Sequence, residues 1–416
     1  MTDYQRITAR ASQNQSKGIA IFGPMNYTDE HVALCALNKI FGFHPTLALS
    51  LLKQADMPTN LFDGHLATPP DNADATLAGL LSQLVPGQLE WGRKELEQVA
   101  SRGFRFLTLM DEDYPAVLRE LPDPPVGLYL NGTSSPTEIF SLRPMIGIVG
   151  TRDISPYGRE WCRKLVQAFA AAPVQPCIVS GMAFGADGIA HKTALDCGLG
   201  TVGVMATGID EIYPWQHAQL ADDMVHRPGC ALLTDYPMNT SPVALNFLRR
   251  NRIIAGLCSA VIVVESKTKG GSLMTAKYAV DYDRELYALP GRIDDPRSAG
   301  CNSLIASNMA RIITSLEELT GQLGLGKRVR GAGGSWNSGW TSARFRQHLE
   351  KTFGEGSAAV TVGMAVKENR GIRADDLTAL TGLPIGPVME AIGLLEANGI
   401  ITTDLLRRCA LAPAYA

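Results

Sequence analysis

Paired cysteines are the first thing missing. Cys35, Cys162, Cys177, Cys197, Cys230, Cys258, Cys301 and Cys409 are scattered, with no Cys-x-x-Cys among them. This spacing speaks against a zinc site and against a disulfide framework. Most of these cysteines sit in apolar runs, which predicts reduced core thiols in a cytoplasmic protein. Long apolar runs are also missing. The longest nearly unbroken one, Ile253 to Val264, contains Gly256 and Ser259 and falls far short of a membrane span. The polar start, Met1 to Gly18, has no apolar stretch of signal-peptide length. Nor is there an excess of positive charge. The net charge is −3, so any nucleic acid must be held by a local basic patch and not by bulk attraction. With 45% hydrophobic residues the chain is too apolar to be disordered, and 416 residues suffice for two or three domains.

What is present divides the chain. Residues 1–18 read as a loose leader, and 19–102 as a small helical domain of the helix-hairpin-helix or SAM-like kind. Its apolar spacing is helical on both sides of the turn Phe41-Gly42-Phe43-His44. From 103 to 322, short Val- and Ile-rich runs alternate with helical stretches. Strands are expected at Ile146–Val149, Cys177–Val179, Thr201–Met205, Ala231–Leu233, Ala260–Val264, Leu286–Leu289 and Arg311–Ile313. The alternation predicts an α/β domain, a doubly wound parallel sheet that binds its ligand at the carboxyl ends of the strands. Residues 323–356 read as a glycine-rich basic linker. The stretch 321–347 holds seven glycines, Lys327, Arg328, Arg330, Arg344 and Arg346, and no Asp or Glu. Trp336, Trp340 and Phe345 interleave with these basic residues, so either a solvated hinge or a strand-catching segment fits. Residues 357–416 give two short helices, the first ended by Gly382 and the second by Asn398-Gly399, and then Ile400-Ile401, a winged-helix pattern.

The strand ends carry the chemistry. After the first strand, Gly150-Thr151-Arg152 leads to Ser155 as N-cap and Pro156 at the first helical position. Glycine permits close backbone approach, the helix amides attract an anion, and Arg152 offers a planar fork to phosphate. Ser180-Gly181-Met182-Ala183-Phe184-Gly185 forms a second nest of backbone donors, followed by Asp187 in a capping position and by His191 as a packed or surface histidine. Phe247, Arg249, Arg250, Asn251 and Arg252 crowd about one helical turn without a carboxylate, offering charge for phosphates and a flat face for bases. Lys267-Thr268-Lys269-Gly270-Gly271-Ser272 makes a third basic entry to a helix. Several anion-directed loops on one sheet edge suit a polymer of phosphates better than a mononucleotide. No Gly-x-Gly-x-x-Gly is present and no acid ends the second strand, which disfavours a nicotinamide cofactor.

At these residues the chain resembles the DprA/Smf family of DNA-processing proteins over roughly 103–320. The resemblance is carried, in order, by Met110-Asp111-Glu112-Asp113-Tyr114-Pro115, Leu121-Pro122-Asp123-Pro124-Pro125, Gly147-Ile148-Val149-Gly150-Thr151-Arg152 and Ser180 to Asp187. Ala206-Thr207-Gly208-Ile209-Asp210, Arg250 to Leu257, Gly271 to Ala276 and Leu289-Pro290-Gly291 complete it. Leu248 stands where the family usually has proline, and Gly270 where it usually has serine. The resemblance implies a Rossmann-like core in a non-enzymatic, cytoplasmic, homodimeric protein that binds single-stranded DNA and loads RecA recombinase onto incoming strands during natural transformation. It implies neither cofactor nor metal. The DNA-binding residues expected from motif and resemblance together are Gly150, Arg152, Ser180, Gly181, Phe247, Arg250, Asn251, Arg252, Lys269, Gly271 and Ser272.

Two other readings compete. The fold also resembles nucleotide phosphoribohydrolases, but the loop Lys269 to Ala276 has no acid in the turn that follows. A duplex-binding regulator acting through the C-terminal section would need basic residues on its second helix, and Pro387 to Glu396 has no Lys or Arg.

Overall fold

Seven apolar runs become the parallel part of one sheet. In the computed structural model, which describes residues 27–55, 57–64, 75–326, 342–369, 372–403 and 408–411, these strands are β3 (Met145–Val149), β4 (Cys177–Gly181), β5 (Thr201–Val204), β6 (Ala231–Thr234), β7 (Ala260–Val263), β8 (Glu285–Ala288) and β9 (Arg311–Ile312). Two further strands, β1 (Arg105–Thr108) and β2 (Gly127–Asn131), add antiparallel to β6 and were not anticipated. The order is β1-β2-β6-β5-β4-β3-β7-β8-β9. From β3 the chain steps outward through β4, β5 and β6, and then returns to place β7 on the other side of β3. This makes the β3/β7 boundary the topological switch point, where a doubly wound sheet opens a crevice at its carboxyl edge.

Alternation along the strands divides the core into two layers. Met145 and Val149 of β3 face a cluster containing Val179, Ile253 and Ala276, under the helices Ala244–Leu257 and Ser272–Asp281. Ile146 and Ile148 face the other way, onto Leu165, Phe169 and Ala190 of the helices Pro156–Ala171 and Ala186–Asp196. All eight cysteines are unpaired and all but Cys197 are buried.

The N-terminal helices Asp29–Phe41, Pro45–Leu52, Ala75–Leu81 and Pro86–Ser101 differ from the separate domain expected over 19–102. They share a core with the sheet: Val32, Cys35, Leu96 and Val99 pack with Met205, Met224 and Leu232. Buried Asn38 ties the layers by donating to the Asp235 carbonyl at 2.7 Å and accepting from the Gly127 amide at 3.2 Å. Glu95 accepts from the Met238 amide at 2.7 Å. The described residues up to Gly326 therefore form one compact unit, and those from Ser342 onward a second. The segregation expected from helical periodicity fails because periodicity records which face is apolar, not what covers it.

The second unit has the helices Ser342–Phe353, Ala358–Glu368, Ala374–Thr381 and Ile385–Ala397, with β10 (Ile372–Arg373), β11 (Ile401–Thr403) and β12 (Arg408–Leu411) in an antiparallel sheet ordered β10-β12-β11. Gly382, at φ +69°, ends Ala374–Thr381 in the left-handed conformation that glycine tolerates. The linker expectation over 323–356 needs correction at its end. Ser342–Phe353 is a helix, and Phe345 is fully buried with Leu349 and Val362. Phe345 is thus not available to stack on a nucleic acid, while Trp336 and Trp340 lie outside the described residues. No single helix among the described residues is long and apolar enough to cross a membrane.

Candidate nucleic-acid interface

The loop after β3 keeps its expected local form but not its expected vacancy. Ser155 caps the helix Pro156–Ala171, accepting from the Gly158 amide at 3.0 Å. The anion at this N-terminus is the protein's own. Glu265, buried just past β7, accepts from the Ser155 amide at 2.9 Å and from the Ser155 hydroxyl. Gly158 makes the room, since a Cβ there would lie 2.4 Å from Glu265 Cδ. The expectation that these amides receive a ligand phosphate is therefore corrected: a carboxylate neutralises them internally. Gly150 serves close packing, because its Cβ would meet Ala186 Cβ at 2.7 Å. Arg152 remains outward. It is exposed, and its guanidinium carbon stands 5.1 Å above the ring of Phe247. Tyr213, which lies outside the expected set, meets the Phe247 ring edge-on at 5.5 Å.

The second nest is also filled from within. Asp187 Oδ2 accepts from the Ala183 amide at 3.3 Å. Ser180 is fully buried and donates to the Ile148 carbonyl, so its hydroxyl is spent on the sheet. Gly181 lies against Asp187 and Arg250, where a Cβ would be 2.5 Å from Asp187 Oδ2 and 2.6 Å from Arg250 Nη2. Burial raises the Asp187 carboxyl pKa, with nearby Arg250 opposing, and burial lowers that of Arg250, with Asp187 opposing. His191 is fully buried between the Thr201 hydroxyl and the Gly181 carbonyl, each at 2.7 Å. Desolvation pushes its pKa down to about 4, so it is a neutral packing element.

The arginine cluster departs furthest from expectation. Arg250 donates to the Val204 carbonyl and, through Nε, to Asn251 Oδ1 at 3.1 Å. Arg252 reaches Asp235 Oδ2 at 2.9 Å and the Asp123 carbonyl. Burial alone would lower its pKa, but Asp235 and Asp123 outweigh burial and leave it raised. Arg249 donates to the Phe43 carbonyl and sits 3.8 Å over the Phe43 ring. Arg250 and Arg252, expected on the rim, are 5% exposed. They brace the helix and do not present charge to solvent. The acids that hold Arg252 come from other elements, which local composition could not reveal. Asn251, one turn after Phe247, donates to the Gly271 carbonyl at 3.3 Å and so links the two sides of the crevice.

The loop after β7 stays open. Lys267, Thr268 and Lys269 are exposed, with Lys267 3.8 Å from Asp153, which is exposed too. Space around the Gly271 Cα is free, and the helix Ser272–Asp281 has no acid in its first turn. The Ser272 hydroxyl is buried without a protein partner. Gly270 is explained by its surroundings, since a Cβ there would fall 2.2 Å from the Ser266 hydroxyl. At the other departure, Leu248 lies in the second turn of Ala244–Leu257, where proline would remove a backbone donor. The structure thus groups Arg152, Phe247, Asn251, Gly271 and Ser272 at the switch point and places Lys269 on the same loop. Ser180, Arg250 and Arg252 lie in the protein interior.

Fold and rim together define a doubly wound α/β protein with basic, glycine-rich loops at the switch point and no dinucleotide fingerprint. The sequence profile of DNA recombination-mediator protein A matches residues 105–324, more than half of the chain, and the chain belongs to that family. It is 34% identical to Protein Smf of Synechocystis over 74% of this chain and 80% of the relative. It is 39% identical to Protein Smf of Escherichia coli over 63% and 70%, and 33% identical to DNA processing protein DprA of Bacillus subtilis over 70% and 94%. The crystal structure of DNA processing protein A from Streptococcus pneumoniae superposes with a TM-score of 0.57 at 29% identity, covering 72% of this chain and 99% of that one.

Proposed function

We propose that the protein binds single-stranded DNA across the β3/β7 crevice without chemical turnover, protects incoming strands during natural transformation or recombination, and, as a cytoplasmic homodimer, loads RecA recombinase onto them. One observation carries this reading: the exposed Arg152 guanidinium over the Phe247 ring, beside a basic glycine turn whose helix start holds no acid. Charge and a stacking face together are what a single strand needs. Membership of the family supports the DNA-processing role. The C-terminal unit is read as a winged helix that contacts protein, because Ile385–Ala397 brings neither Lys nor Arg to a major groove. The alternative, a nucleotide-processing enzyme, gains no support at the strand ends: Glu265 is engaged by Ser155, and Asp187 by the Ala183 amide.

Fluorescence anisotropy with single- and double-stranded oligonucleotides across a salt series tests the reading. The single strand is expected to bind far more tightly, with log affinity falling by about 0.7 per neutralised phosphate against log salt. Arg152→Ala is expected to weaken binding about tenfold and flatten the slope by about that same 0.7. Equal binding of duplex, or an Arg152→Ala protein that binds like the parent, overturns the proposal. RecA filament formation on the bound strand reads out the loading step.

A further inference from the structure

Arg152 belongs to two places at once. On one side it covers Phe247 in the crevice. On the other it lines an open cavity of about 480 Å³, walled by the helices Pro156–Ala171 and Ala186–Asp196, whose other lining residues include Arg159, Arg163, Lys192 and His217. Arg159 and Arg163 stand four residues apart, so their side chains share one helix face. Lys192 faces the same cavity from the second helix, one position after buried His191. All three are exposed, and none makes an ion pair among the described residues. Two carboxylates also line the cavity. Asp153 is already shared with Lys267, and Asp196 lies one turn beyond Lys192. The lining therefore carries four permanent cations against two anions, in a molecule whose net charge is −3.

Ile154, Ile189, Thr193, Gly185 and Gly188 complete the lining. His217 of the lining meets exposed Phe184 edge-on, their ring centroids 5.1 Å apart, and Trp215, two residues before His217, is 67% exposed. Small-molecule sites are mostly apolar with a few polar groups. This cavity has the opposite make-up, cationic walls beside an exposed aromatic ring, which suits a flexible polyanion carrying flat bases.

We propose that this cavity is a second segment of the single-strand path. The strand leaves the crevice over Arg152 and continues between the two helices, where Arg159, Arg163 and Lys192 take successive phosphates and Phe184 offers a base platform. This inference rests on the single-strand reading above and adds to it a length: the protein engages more nucleotides than the crevice alone can hold.

The test compares oligothymidylates of six and twenty-four residues, measured by anisotropy on the full chain and on an Arg159→Ala/Arg163→Ala/Lys192→Ala protein. All three side chains are solvent-exposed, and an unchanged melting curve confirms the fold. The triple variant is expected to bind the 24-mer at least tenfold more weakly, with a salt slope shallower by about 2, while the 6-mer binds as before. A 24-mer held as tightly as by the parent overturns the second segment, and so does an equal loss on both lengths. A parent protein that binds neither oligonucleotide refutes instead the single-strand reading on which the inference rests.

Discussion

The two helices that start at the switch point began as the same expectation and end as opposites. Pro156–Ala171 follows β3 and carries its own counter-charge, the Glu265 carboxylate on the amide and hydroxyl of Ser155. Ser272–Asp281 follows β7 and carries none. Its first turn lacks an acid, its approach is Lys267-Thr268-Lys269-Gly270-Gly271, and its serine hydroxyl is buried without a protein partner. A glycine-rich turn before a helix is thus only a capacity for anion binding. Whether a ligand uses that capacity depends on what the rest of the chain has already placed there. The same rule separates the arginines. Arg152 is exposed over a ring, whereas Arg252 is consumed by Asp235 and Asp123.

The comparison breaks most readily at Arg252. If it is a brace, Arg252→Ala leaves Asp235, 6% exposed, as a buried and uncompensated charge, and the unfolding free energy of the sheet unit is expected to fall by about 3–5 kcal/mol. Urea denaturation checks this, and a loss below 1 kcal/mol would return the side chain to the ligand-binding set. Next in size is Glu265→Ala, which strips two charge-assisted bonds from Ser155 and is expected to cost about 3 kcal/mol. It also frees the helix start. Added sulfate is then expected to raise the melting temperature of the variant more than that of the parent. Identical sulfate responses would mean that Glu265 does not fill an anion site.

Much of this was legible in the sequence, for specific reasons. The parallel strands announced themselves as Val- and Ile-rich runs between helices, and Ser155-Pro156 and Gly382 marked a helix start and a helix end through local geometry that needs no partner. Arg152 and Phe247 were readable as chemistry, but their contact was not, because 95 positions separate them. β1 and β2 escaped notice because they pair antiparallel beside β6, outside the strand–helix alternation. The fate of the Arg250 and Arg252 charges depended on Asp187, Asp235 and Asp123, acids brought together only by the sheet order. Local motifs report which groups a turn can bind, whereas long-range pairing decides which of them remain free.

The finest contrast lies between two serines. The Ser155 hydroxyl donates to Glu265 and accepts from the Gly158 amide, so both its roles are filled. The Ser272 hydroxyl, on the first residue of the helix after β7, fills neither within the protein. A buried hydroxyl without a partner costs on the order of 1–3 kcal/mol, and that cost is recovered only when a phosphate or another acceptor arrives. Ser272→Ala is therefore expected to leave the free protein as stable as the parent or slightly more so, while weakening single-strand binding by up to about tenfold, the loss of one charge-assisted bond. Thermal melting and anisotropy on the same preparation separate the two effects. An alanine variant that binds the oligonucleotide unchanged would make Ser272 a packing defect and not a ligand contact, and the asymmetry between the two helix starts would then have no bearing on DNA.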